Sequence, residues 1–462
     1  MRQQMVLLTV GLAMAIAVLA PLSVDGQTVT NLYSFTGSSS SGNPGFGTLV
    51  QGRNGKLYGT TFGPSGTNGA IFAVTTTGRA SQPYTFGSDG GNPWAGLILG
   101  ADGNYYGTTS AGGAAGNGVL FKVSPTGVYT DLHDFAGGSD GASPFSAPMQ
   151  ASDSNFYGTT YGTNGASTIY RYQTNGTFTT IYNFDVAHGQ GVVAPLIQGT
   201  DGNLYGSAST GGNQALGCGT LFKLSTSGQI LWTYVFPCGQ GGASPDGAML
   251  QASDGNYYGT TSGGGEGGVQ PGTVFRLDQN GNVKILYAFK NLTDGAAPTG
   301  GLTQGTDGSL YGTTSQGGGK SACGNLFQIS LGGVHKILYY FGGAGRVPFA
   351  GVMQDTNGTF YGTTYEGGRS GFGTVYSLNM GLGPFVTFVQ PTGAAGSGAQ
   401  ILGQGLTGTT SVTFNGVPAT SFTVVNDTYM TAVVPSGATT GKVVVTTPSG
   451  PLTSNVNFRI LQ

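Results

Sequence analysis

A Tyr-Gly pair recurs seven times along the 462-residue chain at nearly constant spacing. Successive tyrosines are 48, 51, 48, 53, 53 and 50 residues apart. A period near fifty residues is typical of a β-propeller, because solenoid coils are usually shorter and repeated globular domains longer. The tyrosines are Tyr58, Tyr106, Tyr157, Tyr205, Tyr258, Tyr311 and Tyr361.

Each unit contains four strand-like segments, here called A to D in chain order. The unit from Gly301 shows them as "GLTQGTDG", "SLYGTT", "GNLFQIS" and "VHKILYYF". Asp-Gly or Asn-Gly pairs join A to B, where positive φ is expected at both central residues. A four-stranded meander places the A-B and C-D turns on one face, and the B-C loops and the crossings from D to the next A on the other. The sequence predicts an all-β fold with a seven-bladed β-propeller of four-stranded blades.

Composition supports this fold class and excludes one kind of partner. The chain has 89 glycines and 7% charged residues, and its glutamates are Glu266 and Glu366. The glycines alternate with Tyr, Phe, Thr and Val, which favour strands. A net charge of -2 with 16 Lys and Arg residues provides no basic surface for a run of phosphates, so no nucleic acid is expected as a partner.

The N-terminus has the features of a secretory signal. Arg2 precedes an uncharged apolar run over residues 5–20, and cleavage after Gly26 satisfies the small-residue requirement. An uncleaved membrane anchor stays open as an alternative, because the run approaches the length that spans a bilayer. No second apolar span follows, so we predict a signal peptide over residues 1–26, a secreted or cell-surface protein, and no membrane span after cleavage.

The first segment after the predicted signal indicates how the ring closes. "VTNLYSF", residues 29–35, matches strand D, yet no A, B or C segment precedes it. The seventh unit supplies A, B and C over residues 351–378 and then leaves the repeat. Residues 29–35 are therefore expected to complete the last blade, and "PFVTF" from Pro384 is the competing candidate.

At the level of residues, "DGNLYG", "GTLFKLSTSG" and "ILYAF" resemble the GloVer tandem repeat of choice-of-anchor bacterial proteins, and more distantly the NHL-type propeller blade. The resemblance covers residues 29–378 and implies an exported bacterial protein. Beyond Leu378, "VTFNGVPA", "AVVPSGATTG" and "VVVTTPSG" resemble the IPT/TIG immunoglobulin-like domain, which implies a β-sandwich acting as a spacer or binding module. The predicted domains are a propeller over residues 27–380, a linker over 381–385 and the Ig-like domain over 386–462.

The three cysteines fit an oxidising compartment. Cys218 and Cys238 flank a C-D hairpin and would face each other across it, so we predict a disulfide. Cys323 has no counterpart at the matching place in its unit and is expected to be a free thiol. Metal ligation is less favoured, because CxxC spacing is absent.

Few residues suggest catalysis. Glu266 and Glu366 lie in B-C loops of units that are not neighbours, and the three histidines, His133, His188 and His335, occupy dissimilar positions. The A-B turn aspartates fit turn chemistry better than calcium ligation. We predict no catalytic residue, no metal and no cofactor.

The units differ most at their crossings, which supply the candidate ligand-binding residues. Trp94, Phe145 and Phe349 directly follow crossing prolines, and Asp89, Asp140 and Asp294 lie in crossings; all six are candidates. Aromatic rings beside polar groups suit stacking on sugars. Packing that fills the inner end of a blade is the more common role of such aromatic residues in propeller channels, and the aspartates have turn formation as their default role.

The function predicted from these features is non-enzymatic recognition or adhesion. The protein would bind carbohydrate or a cell-surface protein through the long-loop face and act as a monomer. Two alternatives are open: a carbohydrate-active lyase or glycosidase with its site at the channel mouth, and a purely structural surface component.

Overall fold

The computed structural model describes residues 27–37, 42–63, 68–162, 167–212, 217–265, 271–290, 293–319 and 321–461. The predicted signal peptide lies outside these residues. Regular structure in the described part is almost entirely β-strand, with short 3-10 helices at Gly138–Asp140 and Gly239–Gly241. The all-β prediction is confirmed. Among the described residues no helix is long and apolar enough to cross a membrane.

Each repeat forms one four-stranded antiparallel sheet, numbered 1 to 7 in chain order, and the arrangement is propeller-like. The A strands are Val50–Gln51, Ile98–Leu99, Met149–Gln150, Ile197–Gln198, Leu250–Gln251, Thr303–Gln304 and Met353–Gln354. The B strands are Leu57–Thr61, Tyr105–Thr109, Phe156–Thr160, Leu204–Ala208, Tyr257–Thr261, Leu310–Thr314 and Phe360–Thr364. The C strands are Ala70–Val74, Val119–Val123, Thr168–Tyr172, Thr220–Leu224, Thr273–Leu277, Asn325–Ile329 and Thr374–Asn379. The D strands of sheets 1 to 6 are Ala80–Thr85, Tyr129–Asp134, Phe178–Asn183, Ile230–Val235, Val283–Ala288 and His335–Tyr340.

The D strand of sheet 7 comes from the other end of the repeat region. Thr28–Ser34 pairs antiparallel with the C strand Thr374–Asn379, with Thr28 opposite Asn379 and Ser34 opposite Thr374. The alternative closing segment instead forms Thr387–Phe388 and pairs with Gly398–Leu402. Closure by the first strand is therefore confirmed, and closure by "PFVTF" is wrong.

The "DGN-x-YG" motif is explained by contacts inside each A-B turn. In sheet 2 the Asp102 carboxylate accepts hydrogen bonds from the backbone N–H of Asn104 at 3.0 Å and from the hydroxyl of Tyr106 at 2.8 Å. Only the glycine of this turn, Gly103, has a positive φ, 87°. The expectation of two positive φ values is wrong here, because the carboxylate holds a wider turn in which Gly100 N–H donates to the Asn104 carbonyl at 2.8 Å.

The "YGTT" segments and the ends of the A strands join neighbouring sheets. The fourth residue of strand B donates a hydrogen bond from its hydroxyl to a crossing carbonyl of the next sheet over 2.7–3.5 Å in six sheets, from Thr60, Thr108, Thr159, Ser207, Thr260 and Thr313. Strand A ends in glutamine in every sheet except sheet 2, which has Leu99. Each glutamine accepts a backbone N–H from the preceding A-B turn over 2.8–3.2 Å. Gln51 does so from Thr356, which joins sheet 1 to sheet 7.

The C-terminal segment builds two further four-stranded antiparallel sheets and one parallel pair. The first sheet contains Thr387–Phe388, Gly398–Leu402, Tyr429–Val433 and Phe422–Asn426. The second contains Val417–Pro418, Ser411–Phe414, Val443–Thr447 and Gly450–Thr453. The pair joins Thr392–Ala394 to Arg459–Leu461. The two larger sheets share one core that includes Ile401, Val412, Met430, Val443 and Phe458.

This segment packs on the A-B turns of sheets 1 and 2, and in sheet 2 the glutamine pattern is interrupted by Leu99. Leu402 and Tyr429 belong to the hydrophobic cluster that contains Leu99 of sheet 2. Arg53 lies 4.5 Å from the centre of the Tyr429 ring and donates to the Gln400 side chain at 2.6 Å. Leu99, where the other sheets have glutamine, and Arg53, where they have Ala, Ser or Thr, thus form the contact.

The disulfide prediction is confirmed. Cys218 and Cys238 are bonded across the C-D hairpin of sheet 4, with Cα atoms 5.5 Å apart. Cys323 carries a free thiol that contacts the Ser321 carbonyl at 2.9 Å.

Candidate functional site

Seven equivalent positions lie five residues before the last residue of each A strand. Because strand A fixes their register, their side chains are presented at one level where each crossing enters its sheet. They are Phe46, Trp94, Phe145, Val193, Asp246, Thr299 and Phe349. Six of them line a single cavity of about 1010 Å³, and the seventh, Phe349, stacks on Phe46.

Four of these positions, in sheets 7, 1, 2 and 3, form a continuous row of rings that we call the aromatic arc: Phe349, Phe46, Trp94 and Phe145. Phe46 stacks on Phe349 with ring centroids 4.4 Å apart and lies 5.0 Å from Trp94. Trp94 meets Phe145 edge to face at 5.7 Å. All four side chains are partly buried. The rings of the arc therefore keep part of their surface exposed, where a ligand could contact them.

A second tier of aromatic rings packs against the aromatic arc. The residue directly after strand B is aromatic in sheets 1, 3 and 7, and serine in the other four sheets. Ring centroids are 4.3 Å apart for Phe62 and Trp94, 5.5 Å for Tyr161 and Phe145, and 5.4 Å for Tyr365 and Phe349. The apolar half of the site is thus two rings deep.

The other half, in sheets 4 to 6, carries Val193, Asp246 and Thr299. The hydroxyl of Ser262, at the end of strand B in sheet 5, donates to Oδ2 of Asp246 at 2.5 Å. Burial raises the pKa of Asp246, and this hydrogen bond partly opposes the rise. The cavity therefore has an aromatic side and a polar side with one carboxylate.

A smaller cavity of about 350 Å³ continues along the inner strands, and Thr48, Leu97 and Ile98 line both cavities. Its lining includes Phe388 and Leu402 of the C-terminal segment. The C-terminal segment thus covers the end of the inner strands that faces the A-B turns, and the aromatic arc lies at the crossing end.

The structure brings the three predicted aromatic residues together. Trp94 and Phe145 line the large cavity, and Phe349 stacks behind Phe46. Sequence reasoning missed Phe46 and Asp246. A signal existed, because counting back from the end of strand A identifies both, whereas counting from the proline misses Phe46 by one inserted residue, Gly45.

The predicted aspartates occupy a different place, on the outer side of the crossings. Each carboxylate is hydrogen-bonded to a side chain from strand D of its own sheet: Asp89 to Tyr84, Asp140 to His133 and Asp294 to Tyr287. Each also accepts a backbone N–H of the crossing, from Gly87, Ala136 and Lys290 respectively. None of the three is among the residues that line the cavity. The structure thus gives them local partners, and their role in ligand binding stays a prediction.

The described residues offer little for acid–base or metal chemistry. Among the cavity-lining residues that the structure describes, Asp246 is the single carboxylate. Glu366 pairs with Arg346 at 3.0 Å, and Glu266 lies outside the described residues. In the described ranges no three His, Cys, Asp or Glu side chains are grouped so that they could hold a metal ion.

The model of the Gloeobacter/Verrucomicrobia repeat family matches residues 17–218 and 161–376, so the chain belongs to this family. No curated protein matches the chain.

Many solved structures resemble the fold. Hydrazine synthase of Kuenenia stuttgartiensis has 14% identity and a TM-score of 0.51, over 73% of this chain and 97% of that chain. The periplasmic gluconolactonase of Pseudomonas aeruginosa has 13% identity and a TM-score of 0.46, over 71% and 96%. A gluconolactonase of Xanthomonas campestris has 12% identity and a TM-score of 0.38, over 73% and 94%. At these identities the likeness bears on the fold alone.

Proposed function

We propose that this repeat-family member is an exported recognition protein that binds carbohydrate in the cavity beside the aromatic arc. The observation that carries the proposal is the cluster of seven aromatic rings in two tiers, four of which line one side of a cavity of about 1010 Å³. Rings of this kind pack against the C–H face of a sugar, and the polar side supplies hydrogen-bonding groups. The cavity is large enough for an oligosaccharide of a few units.

The proposal assigns the finer architecture as follows. Residues 27–380 form a seven-bladed β-propeller, residues 381–385 a linker, and residues 386–462 an IPT/TIG immunoglobulin-like domain. The seven four-stranded sheets and the shared core of the C-terminal sheets support this division. Export through a signal peptide over residues 1–26 is supported by the Cys218–Cys238 disulfide.

A glycan array tests the proposal. We expect saturable binding to at least one glycan by the wild-type protein, as a monomer, and binding weakened roughly thirtyfold in the Trp94→Ala/Phe145→Ala double variant, since two aromatic contacts of about 1 kcal/mol each are removed. The matched control is Trp232→Ala, because Trp232 is the other tryptophan of the chain and lies on strand D of sheet 4.

The other possible results of the glycan array distinguish the remaining functions. Undiminished binding by the double variant would place the site away from the arc. The absence of any saturable ligand would favour a purely structural surface component. Cleavage of a bound polysaccharide would favour the lyase or glycosidase alternative; glycoside hydrolysis typically uses two carboxylates, and the described lining residues supply one, Asp246.

A further inference from the structure

The polar side of the cavity has an unbalanced charge. Asp246 and Tyr161 are the titratable side chains among the described residues that line the cavity, and no Lys, Arg or His is among these described residues. The single protein hydrogen bond that the described residues give the Asp246 carboxylate comes from Ser262, a neutral hydroxyl, and reaches Oδ2. The described residues donate no hydrogen bond to the other oxygen, Oδ1, which can therefore accept one from a ligand.

The position of Asp246 relative to the aromatic rings indicates what kind of ligand its charge would attract. It occupies the same register as the four residues of the aromatic arc, and three of these, Phe46, Trp94 and Phe145, line the same cavity as the carboxylate. A carboxylate partly removed from water favours a cationic partner, because the pair offsets the cost of desolvating the charge. Aromatic faces attract the same kind of ligand, through ring stacking on C–H groups and through cation–π contact.

We propose that the cavity selects an amino sugar with a free protonated amine, whose ammonium group pairs with Asp246 while its ring lies against the aromatic arc. This inference rests on the proposed carbohydrate binding and sharpens it. A neutral sugar can offer hydroxyl donors to Asp246 but leaves the negative charge unpaired. An N-acetylated sugar also replaces the ammonium with a bulkier neutral amide.

The test compares two probes of equal length: a β-1,4-linked glucosamine tetramer and its fully N-acetylated counterpart. The reporter is the Trp232→Phe protein, in which Trp94 is the one remaining tryptophan, so fluorescence observes the arc directly. We expect the free-amine tetramer to bind at least about tenfold more tightly, as for a charge-assisted hydrogen bond in a partly desolvated site.

Two variants separate the charge from the fold. Asp246→Asn keeps the shape and is expected to reduce binding of the free-amine tetramer to the level of the acetylated one, without changing the latter. Asp278→Asn removes the same charge from the C-D turn of the same sheet and should change neither.

The comparison of the two tetramers by the unsubstituted cavity decides the inference even if Asp246→Asn fails to fold. Equal binding, or preference for the acetylated tetramer, would overturn the selectivity while leaving carbohydrate binding intact. An equal loss of both tetramers in Asp246→Asn would also overturn it, because Asp246 would then act on a shared hydroxyl. If the protein bound neither tetramer and no other glycan on the array, the proposed function itself would fail.

Discussion

The two ends of the inner strands differ in what covers them, although the same seven repeats build both. At the A-B turn end the pattern changes at Leu99 and Arg53, and the C-terminal segment packs on those changes through Tyr429. At the crossing end the pattern changes at the seven variable positions, and the aromatic rings there stay partly exposed around a cavity. At the A-B turn end, departures from the repeat form an internal contact, and we propose that at the crossing end they form a ligand-binding surface. Experiments that disrupt each end separately can distinguish these two roles.

The largest effect is expected from opening the ring, because both ends depend on it. Deleting residues 28–34 removes the outer strand of sheet 7 and exposes the edge of Thr374–Asn379. The loss should approach the whole stability of about 5–15 kcal/mol that a domain possesses. Thermal unfolding should lose the cooperative transition of the seven repeat sheets, while the C-terminal sheets keep a transition of their own core. Adding a peptide of residues 28–35 should restore the lost transition, and a deletion variant with an unchanged melting temperature would contradict the observed closure.

A smaller effect, confined to the covered end, is expected from Tyr429→Ala. Tyr429 is 6% exposed and packs in the cluster of Leu99 rather than in the core of its own two sheets. Removing the ring should cost about 3 kcal/mol in denaturant unfolding and leave ligand binding at the crossing end unchanged. Val425→Ala, on the same sheet at 59% exposure, should change stability by less than about 0.5 kcal/mol. A loss of binding in Tyr429→Ala would show that the two ends are coupled.

The sequence predicted the repeated strands and turns well, because the same local residue pattern occurs in every unit. The strand order and the turn aspartates follow from this repetition. The closing strand and the disulfide follow from single local features, a first segment that matches strand D and two cysteines that flank one hairpin. The contact between Leu402 and Leu99 could not be predicted, since no local rule selects which face a distant segment covers. Asp246 directly follows Pro245, as Trp94 follows Pro93, but it was missed because only aromatic side chains were singled out at that position. The local partners of Asp89, Asp140 and Asp294 depend on the direction of each side chain, which spacing does not determine.

The smallest predicted effect concerns a third departure at the covered end, Asp355 in sheet 7. The other six sheets have glycine or alanine at this position: Gly52, Gly100, Ala151, Gly199, Ala252 and Gly305. Asp355 is fully buried, and the Gln404 side chain of the C-terminal segment donates to its Oδ1 at 3.2 Å. Its Oδ2 is buried and has no hydrogen-bond partner in the described structure. Burial raises the pKa of Asp355 to about 6, although the Asn357 N–H and the Gln404 amide oppose the rise.

Since the folded pKa is above the unfolded value of about 3.9, the contribution of this group to stability is full at lower pH. It is lost as the pH rises through about 6, by at most about 3 kcal/mol. Asp355→Asn should therefore raise the free energy of unfolding at pH 7.5 by about 1–2 kcal/mol, because the buried charge disappears while one unpaired polar atom stays. It should also flatten the stability profile between pH 4 and 7. Asp278→Asn is the control, because hydrogen bonds from Asn282 lower the pKa of that exposed carboxyl, and its removal should leave the slope through pH 6 in place. If Asp355→Asn were less stable than the wild type at pH 7.5, this prediction would be wrong. The ionised Asp355 carboxylate would then stabilise the covered end, because its hydrogen bonds would outweigh the cost of burying its charge.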